Sequence, residues 1–331
     1  MNRGRRRFLT VLAGAPIFAW GAPSAALPRT ETRSFEWTGT ALGADASIRI
    51  VHRDVPVARR LVEACVGEIR RIETEFDLQS PASALSHLNR TGRLRSPSPA
   101  FLTLLRSSAS LHGMTAGAFD PTVQSLWSLY AAHFAAPGSA IDGPSPEAIS
   151  QARARVDFGT VIVAPESVHL TKCGTALTLN GIAQGYLTDR VARLLARAGV
   201  RSALVEAGET YGLGMHPDGR PWRIGIPDPV RAVLARTLLL GDRAVATSSP
   251  FGTTFEPSSR FHHLFDPRTG RCTDRYAAVT VAAPSATLAD GLSTAFSAMT
   301  PREVAAIVAA LPGLGAHLTT MDGRRIAFGA L

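Results

Sequence analysis

The sequence predicts an α+β fold, one intertwined domain with mixed, largely antiparallel sheets and packed helices. Two long amphipathic runs, 55–76 and 181–200, carry apolar residues at helical spacing with Arg and Glu opposite. Between and after them lie short β-like runs separated by turn residues. No regular strand–helix–strand alternation joins the two kinds of element, which argues against a parallel α/β sheet.

Taken in order, "DASIRIVH" (45–52) predicts a strand and "VPVARRLVEACVGEIRRIETEF" (55–76) a helix. Residues 77–98 predict a loop, and "SPAFLTLLRSSASLHGMT" (98–115) a helix behind a Ser-Pro start. Residues 136–149 are Gly-, Pro- and Ser-rich and predict irregular chain. "GIAQGYLTDRVARLLARAGV" (181–200) predicts a helix that leaves through Gly199. "SALVEAG", "WRIGIPDP", "RTLLLG", "AVATSS" and "AAVTVAAP" then predict strands. Helices follow over 285–299 and over 301–311, the second with Pro at its first turn. "GAHLTTM" and "RIAFGA" close the chain as a hairpin about Asp322-Gly323.

With 331 residues the chain can bury a substantial core, and 45% hydrophobic against 18% charged content excludes wholesale disorder. The formal net charge is +9, but Arg3, Arg5, Arg6 and Arg7 lie in an acid-free leader. Downstream there is no polybasic block with interleaved aromatics, so nucleic acid is not expected as a partner. The leader, residues 1–26, joins that arginine cluster to a modest apolar stretch and to Ser24-Ala25-Ala26, a small-residue cleavage site. This is the pattern of a twin-arginine export signal, which predicts a periplasmic protein with its domain over 27–331. Cys65, Cys173 and Cys272 have no metal-like spacing and are expected as buried free thiols.

Chemistry concentrates in four strings. In "ATLADGLSTAF" (286–296), Asp290 is the one carboxylate of a long apolar stretch, and an unpaired buried carboxylate costs several kcal/mol. Asp290 and Thr294 are four apart, on one helix face, and offer oxygen ligands to a hard cation. Local capping beside Gly291 is the alternative. In "LTLNGIAQGY" (177–186), Gly181 and Gly185 bracket a strand-to-helix turn where an anion or metal could approach backbone groups, or where two elements simply pack closely. "GAFDPTVQSLW" (117–127) places Phe119 beside Asp120, a stacking surface and an acceptor, or an ordinary loop turn. "FHHLFDPRTGR" (261–271) brings adjacent His residues next to Asp266-Pro267, and His is the usual proton-transfer residue near neutral pH. There is no nucleophile elbow, Walker loop, zinc-protease helix or dinucleotide fingerprint.

Taken together and in this order, the strings resemble the ApbE family of FAD:protein FMN transferases. "ALGADASI" (41–48) stands at the family's M-G-T-like start, with Leu42 for Met, and "FDLQSPASALSHLN" (76–89) puts Gln79 at its Tyr position. "LTLNGIAQGYLTDRV" is similar to L-D-L-G-G-I-A-K-G-Y-x-x-D, with Thr178 at the Asp position. "LVEAGE", "WRIGIPDP", "AVATSS", "HHLFDPRTG" and "ATLADGLSTAF" follow in family order. The resemblance implies a T-fold-related domain that binds FAD and a divalent cation, usually Mg2+. It implies transfer of FMN to a Ser or Thr hydroxyl of a partner flavoprotein, with release of AMP. Carried over, Gly181, Asp290 and Thr294 hold the metal, and Leu42, Gln79, Ala118, Phe119, Asp120, Thr178, Gln184 and His263 contact FAD. His263 is the proton-transfer residue, with Asp266 supporting its turn. "EAGETYGLGMHPDGRPWRIGI" (206–226) further resembles the branch associated with nitrous oxide reduction, which implies a membrane-bound acceptor. Departures at Gln79, Thr178 and "EAGET" fall on the flavin side and spare the metal positions. They motivate two alternatives, an FAD-binding protein without transfer and an Mg2+-dependent FAD pyrophosphatase.

Overall fold

The computed structural model describes residues 33–331, so the expected export signal over 1–26 lies outside the described residues. The strands β1 (Arg33–Ala41) and β2 (Ala44–His52) open the chain as a hairpin, and α1 (Val55–Phe76), α2 (Ala84–Thr91), β3 (Arg93–Arg95) and α3 (Pro99–Met114) follow. Next come α4 (Gln124–Ala135), α5 (Pro146–Arg153), β4 (Val161–Ala164), β5 (Ser167–Leu170) and α6 (Ala183–Arg197). β6 (Ser202–Ala207), β7 (Thr210–Gly214), β8 (Trp222–Asp228), β9 (Val233–Leu240) and β10 (Arg243–Ser248) form the strand-rich middle. The ribbon β11 (Phe265–Asp266) and β12 (Arg271–Cys272) precedes β13 (Tyr276–Ala283), α7 (Ala286–Phe296), α8 (Pro301–Ala310), β14 (Gly315–Thr320) and β15 (Arg325–Gly329).

The scaffold is an eight-stranded sheet in the order β1-β2-β6-β7-β10-β13-β14-β15, with every neighbouring pair antiparallel. Side chains alternate between its faces. Ile48, Ile50, Ala203, Val205, Ala246, Val279, Val281, Ala316 and Leu318 join the main core with Ile69 and Ile72 of α1, Leu187 and Val191 of α6 and Leu292 of α7. The intervening residues Leu204, Val245 and Ala282 point the other way, under Trp222, Ile224, Leu238 and Leu240 of the β8–β9 hairpin. β13 is therefore buried along its whole length, which explains why "YAAVTVAA" reads as a continuous apolar run rather than an alternating one.

Helix ends obey local chemistry. Asp54 caps α1 by accepting from the Val57 N–H at 2.9 Å, and Thr300 and Glu303 form a reciprocal capping box at α8. The α+β expectation holds, while several elements differ from the sequence reading. The expected loop 77–98 contains α2, eight residues from a Ser83 cap to a left-handed Gly92, too short for its apolar spacing to show. α4 has no side-chain cap, and "QSLWSLYAAHFA" lacks a distinct polar face. The irregular 136–149 stretch gives way to α5 behind Ser145. β1 was not anticipated, because its exposed edge carries no buried alternation. Among the cysteines, Cys65 is buried and its thiol is pushed up to about 12 by burial, whereas Cys173 is exposed, contrary to expectation.

Two predictions follow from the second core. Trp222→Ala should cost about 3–5 kcal/mol in urea unfolding by emptying the space between hairpin and sheet. His317 on β14 is 5% exposed, and burial, reinforced by Arg325 and Arg236, holds its imidazole below the usual value. The unfolded chain then takes up the proton first, so this contribution is complete above about pH 6.5 and fades as pH falls through the window below it. His317→Gln should accordingly flatten the stability difference between pH 7.5 and pH 5 relative to the parent chain.

Candidate active site

The site is built on the contact between α6 and α7. The two helices run antiparallel with matching four-residue steps. Asp189 on α6 meets Ala286 and Thr287 at the start of α7. One turn along, the Gly185 N–H donates to Asp290 Oδ2 at 2.9 Å. One turn further, Thr294 Oγ1 donates to the Gly181 carbonyl at 3.4 Å. The three expected metal positions thus converge at one end of this ladder, with Asp290 only 2% exposed.

Glycine is required at the middle rung. A Cβ on Gly185 would lie 2.2 Å from the Ala286 carbonyl oxygen and 2.7 Å from the Asp290 Cβ. Gly185 sits inside the first turn of α6 rather than before it, so its N–H is one of the helix's unsatisfied donors, and the Asp290 carboxylate accepts from it. Gly181 lies in the preceding turn. Ser248 on β10 closes the far end, with its hydroxyl 2.7 Å from Ser293 Oγ and 3.5 Å from Thr294 Oγ1.

The donor set is one carboxylate, one hydroxyl and one backbone carbonyl. Among the described residues no three His, Cys, Asp or Glu side chains cluster as a metal site. An all-oxygen set with a single negative charge suits a hard cation that completes its shell with water and substrate oxygens, as Mg2+ does.

Next to Gly185 at the start of α6, Gln184 is 2% exposed, and neither amide atom has a hydrogen-bond partner. It presses against Gly208, where a Cβ would come within 2.5 Å of the amide carbon. A buried amide with both its donor and acceptor unmet fits the polar edge of a planar ligand. The Thr178 N–H donates to the Pro121 carbonyl at 2.8 Å, joining the 177–181 segment to the Asp120-Pro121 turn. Asn89 clamps the same segment, its amide exchanging hydrogen bonds of 2.7 and 2.8 Å with the Leu177 backbone.

Over residues 42–318 the chain matches the model of the ApbE family. The chain belongs to the ApbE family. It is 31% identical over 273 residues to an Escherichia coli K12 protein described as an FAD:protein FMN transferase, covering 76% of each chain. A Treponema pallidum protein of the same description is 32% identical over 229 residues, and the match spans 62% of that protein. Among solved structures, the apo form of the Pseudomonas stutzeri flavinyl transferase ApbE aligns with a TM-score of 0.79 at 27% identity, covering 91% of this chain and 96% of that one.

The remaining ApbE-like positions are placed less uniformly. Leu42 takes a left-handed φ of 47° in the β1–β2 turn, and its N–H is held by Glu73 Oε1 of α1 at 3.0 Å. For a non-glycine this conformation costs roughly 1–3 kcal/mol, strain of the kind found at functional sites. Gln79 is exposed on the α1–α2 loop. Ala118 and Phe119 are 3% and 4% exposed in the main core. The Phe119 ring packs against the main core, so this turn is anchored from its inner side. Asp120 accepts from the Thr122 N–H at 2.8 Å and the Phe158 N–H at 3.1 Å. Burial raises its pKa, and it serves here to fix the turn.

The two adjacent histidines are distinguishable. His262 is buried with Nε2 2.7 Å from the Thr273 carbonyl, and burial lowers its pKa, so it is a neutral structural residue. His263 has Nδ1 3.0 Å from the Thr253 carbonyl, an atom that only accepts. Nδ1 therefore carries the proton, and Nε2 is the basic nitrogen. Asp266 accepts from the Arg268 backbone N–H at 2.9 Å and from its guanidinium at 2.8 and 3.0 Å. Arg268 also reaches the Ala298 carbonyl at 2.7 Å, just past the end of α7. Asp266 thus closes the 266–270 turn, whose Thr269 and Gly270 N–H groups donate to its carbonyl, three residues after His263. A cavity of about 560 Å3 along β1, β2 and the β6–β7 turn is lined by Thr38, Asp45, Ser47, Glu206 and Thr210 and by Gly208, the residue packed against Gln184.

Gly185→Ala separates packing from helix propensity. Alanine is the better helix former by about 0.5–1 kcal/mol. The clash with Ala286 should reverse that sign and leave the variant about 1–3 kcal/mol less stable in urea unfolding.

Proposed function

We propose that this protein is an FAD:protein FMN transferase that moves the FMN half of FAD to a Ser or Thr hydroxyl of an acceptor flavoprotein and releases AMP. The observation that supports this reading most directly is the convergence of Gly181, Asp290 and Thr294 at one end of the α6–α7 ladder, in a chain of the ApbE family. Asp290, Thr294 Oγ1 and the Gly181 carbonyl would hold Mg2+, which when bound would screen the pyrophosphate and stabilise charge developing on phosphorus and on departing AMP. Gln184 would satisfy its buried amide on the flavin, with Leu42, Gln79, Thr178 and the Ala118–Asp120 turn bordering the dinucleotide. His263, with its proton fixed on Nδ1 by Thr253, would take the acceptor hydroxyl's proton at Nε2. Asp266 and Arg268 would keep that ring in place.

The leader supports a periplasmic location reached by twin-arginine export. Among the described residues no helix is long and apolar enough to cross a membrane. A membrane-bound acceptor is the partner we infer, on the resemblance of 206–226 to the nitrous oxide-associated branch.

The test is to incubate the mature protein with FAD and Mg2+, with and without an acceptor domain, and to quantify AMP, FMN and protein-bound flavin. Acceptor-dependent AMP with an equal amount of covalent FMN is expected. FMN and AMP without acceptor would instead identify a pyrophosphatase, and bound FAD without AMP a non-catalytic carrier. Asp290→Ala should lower AMP release at least about 100-fold, the scale of losing one main transition-state charge contact. His263→Ala should slow transfer far more than it weakens FAD binding, measured as separate kcat and FAD Kd values.

A further inference from the structure

We infer that Asp189, which touches neither substrate nor metal position, is a positioning residue that sets the affinity of the cation site. The inference rests on the proposed assignment of Asp290 and Thr294 as metal ligands. Asp189 is 3% exposed on α6, and its carboxylate collects the first donors of α7. It accepts from the Ala286 N–H at 2.8 Å, from the Thr287 N–H at 3.0 Å and from Thr287 Oγ1 at 2.5 Å. Ser285, the conventional cap, takes only the Leu288 N–H. The start of α7 is thus capped twice, once from its own chain and once from the neighbouring helix. A carboxylate there also meets the positive end of the helix dipole.

The geometric consequence is specific. Capping by Ser285 alone would stabilise α7 wherever the helix sat. Capping by Asp189 fixes its height and rotation against α6, because Asp189, Gly185 and Gly181 step back along one side as Ala286, Asp290 and Thr294 step forward along the other. At 5.4 Å per turn, Asp290 and Thr294 stand about one and two turns from the clamp. A small slip or rotation of α7 would displace both side-chain ligands from the Gly181 carbonyl together. Partners that orient metal ligands from behind commonly change metal affinity about 10- to 100-fold when removed.

The experiment is an Mg2+ titration of the mature protein by calorimetry, with and without saturating FAD, on the parent chain, Asp189→Asn, Thr287→Ala and Asp290→Asn. Asp189→Asn should raise the half-saturating Mg2+ concentration about 10-fold or more. FAD binding in EDTA should be unchanged, and the maximal rate should be largely recovered at high Mg2+. Thr287→Ala, which removes one of the donors and keeps the carboxylate, should move the midpoint in the same direction by about 2- to 5-fold. It decides the matter if the Asn variant does not fold. Loss of the Mg2+ signal in Asp290→Asn with parental midpoints in the folded Asp189 or Thr287 variants would overturn this inference alone. An unchanged signal in Asp290→Asn would overturn the metal assignment beneath it.

Discussion

Gly185 approaches Ala286 too closely for any side chain to stand between them, and most of the functional geometry depends on that approach. Two helices that meet with no side chain between them can place a backbone N–H against a buried carboxylate. That N–H gives the Asp290 carboxylate a neutral donor. An arginine or lysine in the same position would neutralise the carboxylate and compete with a cation for it. A neutral donor orients one oxygen without placing a positive charge beside it. The rest of the fold then holds the two helices at this separation: the sheet beneath them, Asp189 above the contact and Ser248 below it.

The departures from the ApbE pattern fall on the other side of the site, and the structure gives some of them a physical shape. Thr178 keeps its backbone link to Pro121, so losing a carboxylate at that position need not move the segment. Gln184 packs against Gly208 and is buried, so an uncharged amide stands unpartnered where the family pattern has Lys or Glu. Gln79 stands exposed where the family pattern has a ring. Taken together these changes put uncharged side chains at positions where the family pattern has a ring or a charge, while Gly181, Asp290 and Thr294 are retained.

Much of this was legible in the residues themselves. The i, i+4 pair Asp290 and Thr294 announced a shared helix face, and an isolated carboxylate in an apolar run announced a partner to be found. In the main sheet β2, β6, β10, β13, β14 and β15 were legible because each carries an apolar run bounded by turn residues, whereas β7, the short Gly-containing TYGLG, was not. What stayed hidden depends on tertiary contact. Asp189 looks like any surface acid of an amphipathic helix, and only the antiparallel packing of α7 gives it the Ala286 and Thr287 donors. The burial of Phe119 was hidden because a sequence does not reveal which side of a turn faces the core. The roles of His262 and His263 were separated by which carbonyl each ring meets, a fact of fold rather than of pattern.

The central claim is that one cation is held between the two helices, opposite the substrate pyrophosphate. A crystal structure of the mature protein grown with FAD and Mn2+, with the metal located by its anomalous signal, tests it most directly. A single peak at roughly 2.0–2.3 Å from the Asp290 carboxylate, Thr294 Oγ1 and the Gly181 carbonyl, and in contact with a phosphate oxygen, is the expected result. A metal bound elsewhere on the dinucleotide, with Asp290 still bonded only to the protein, would contradict it.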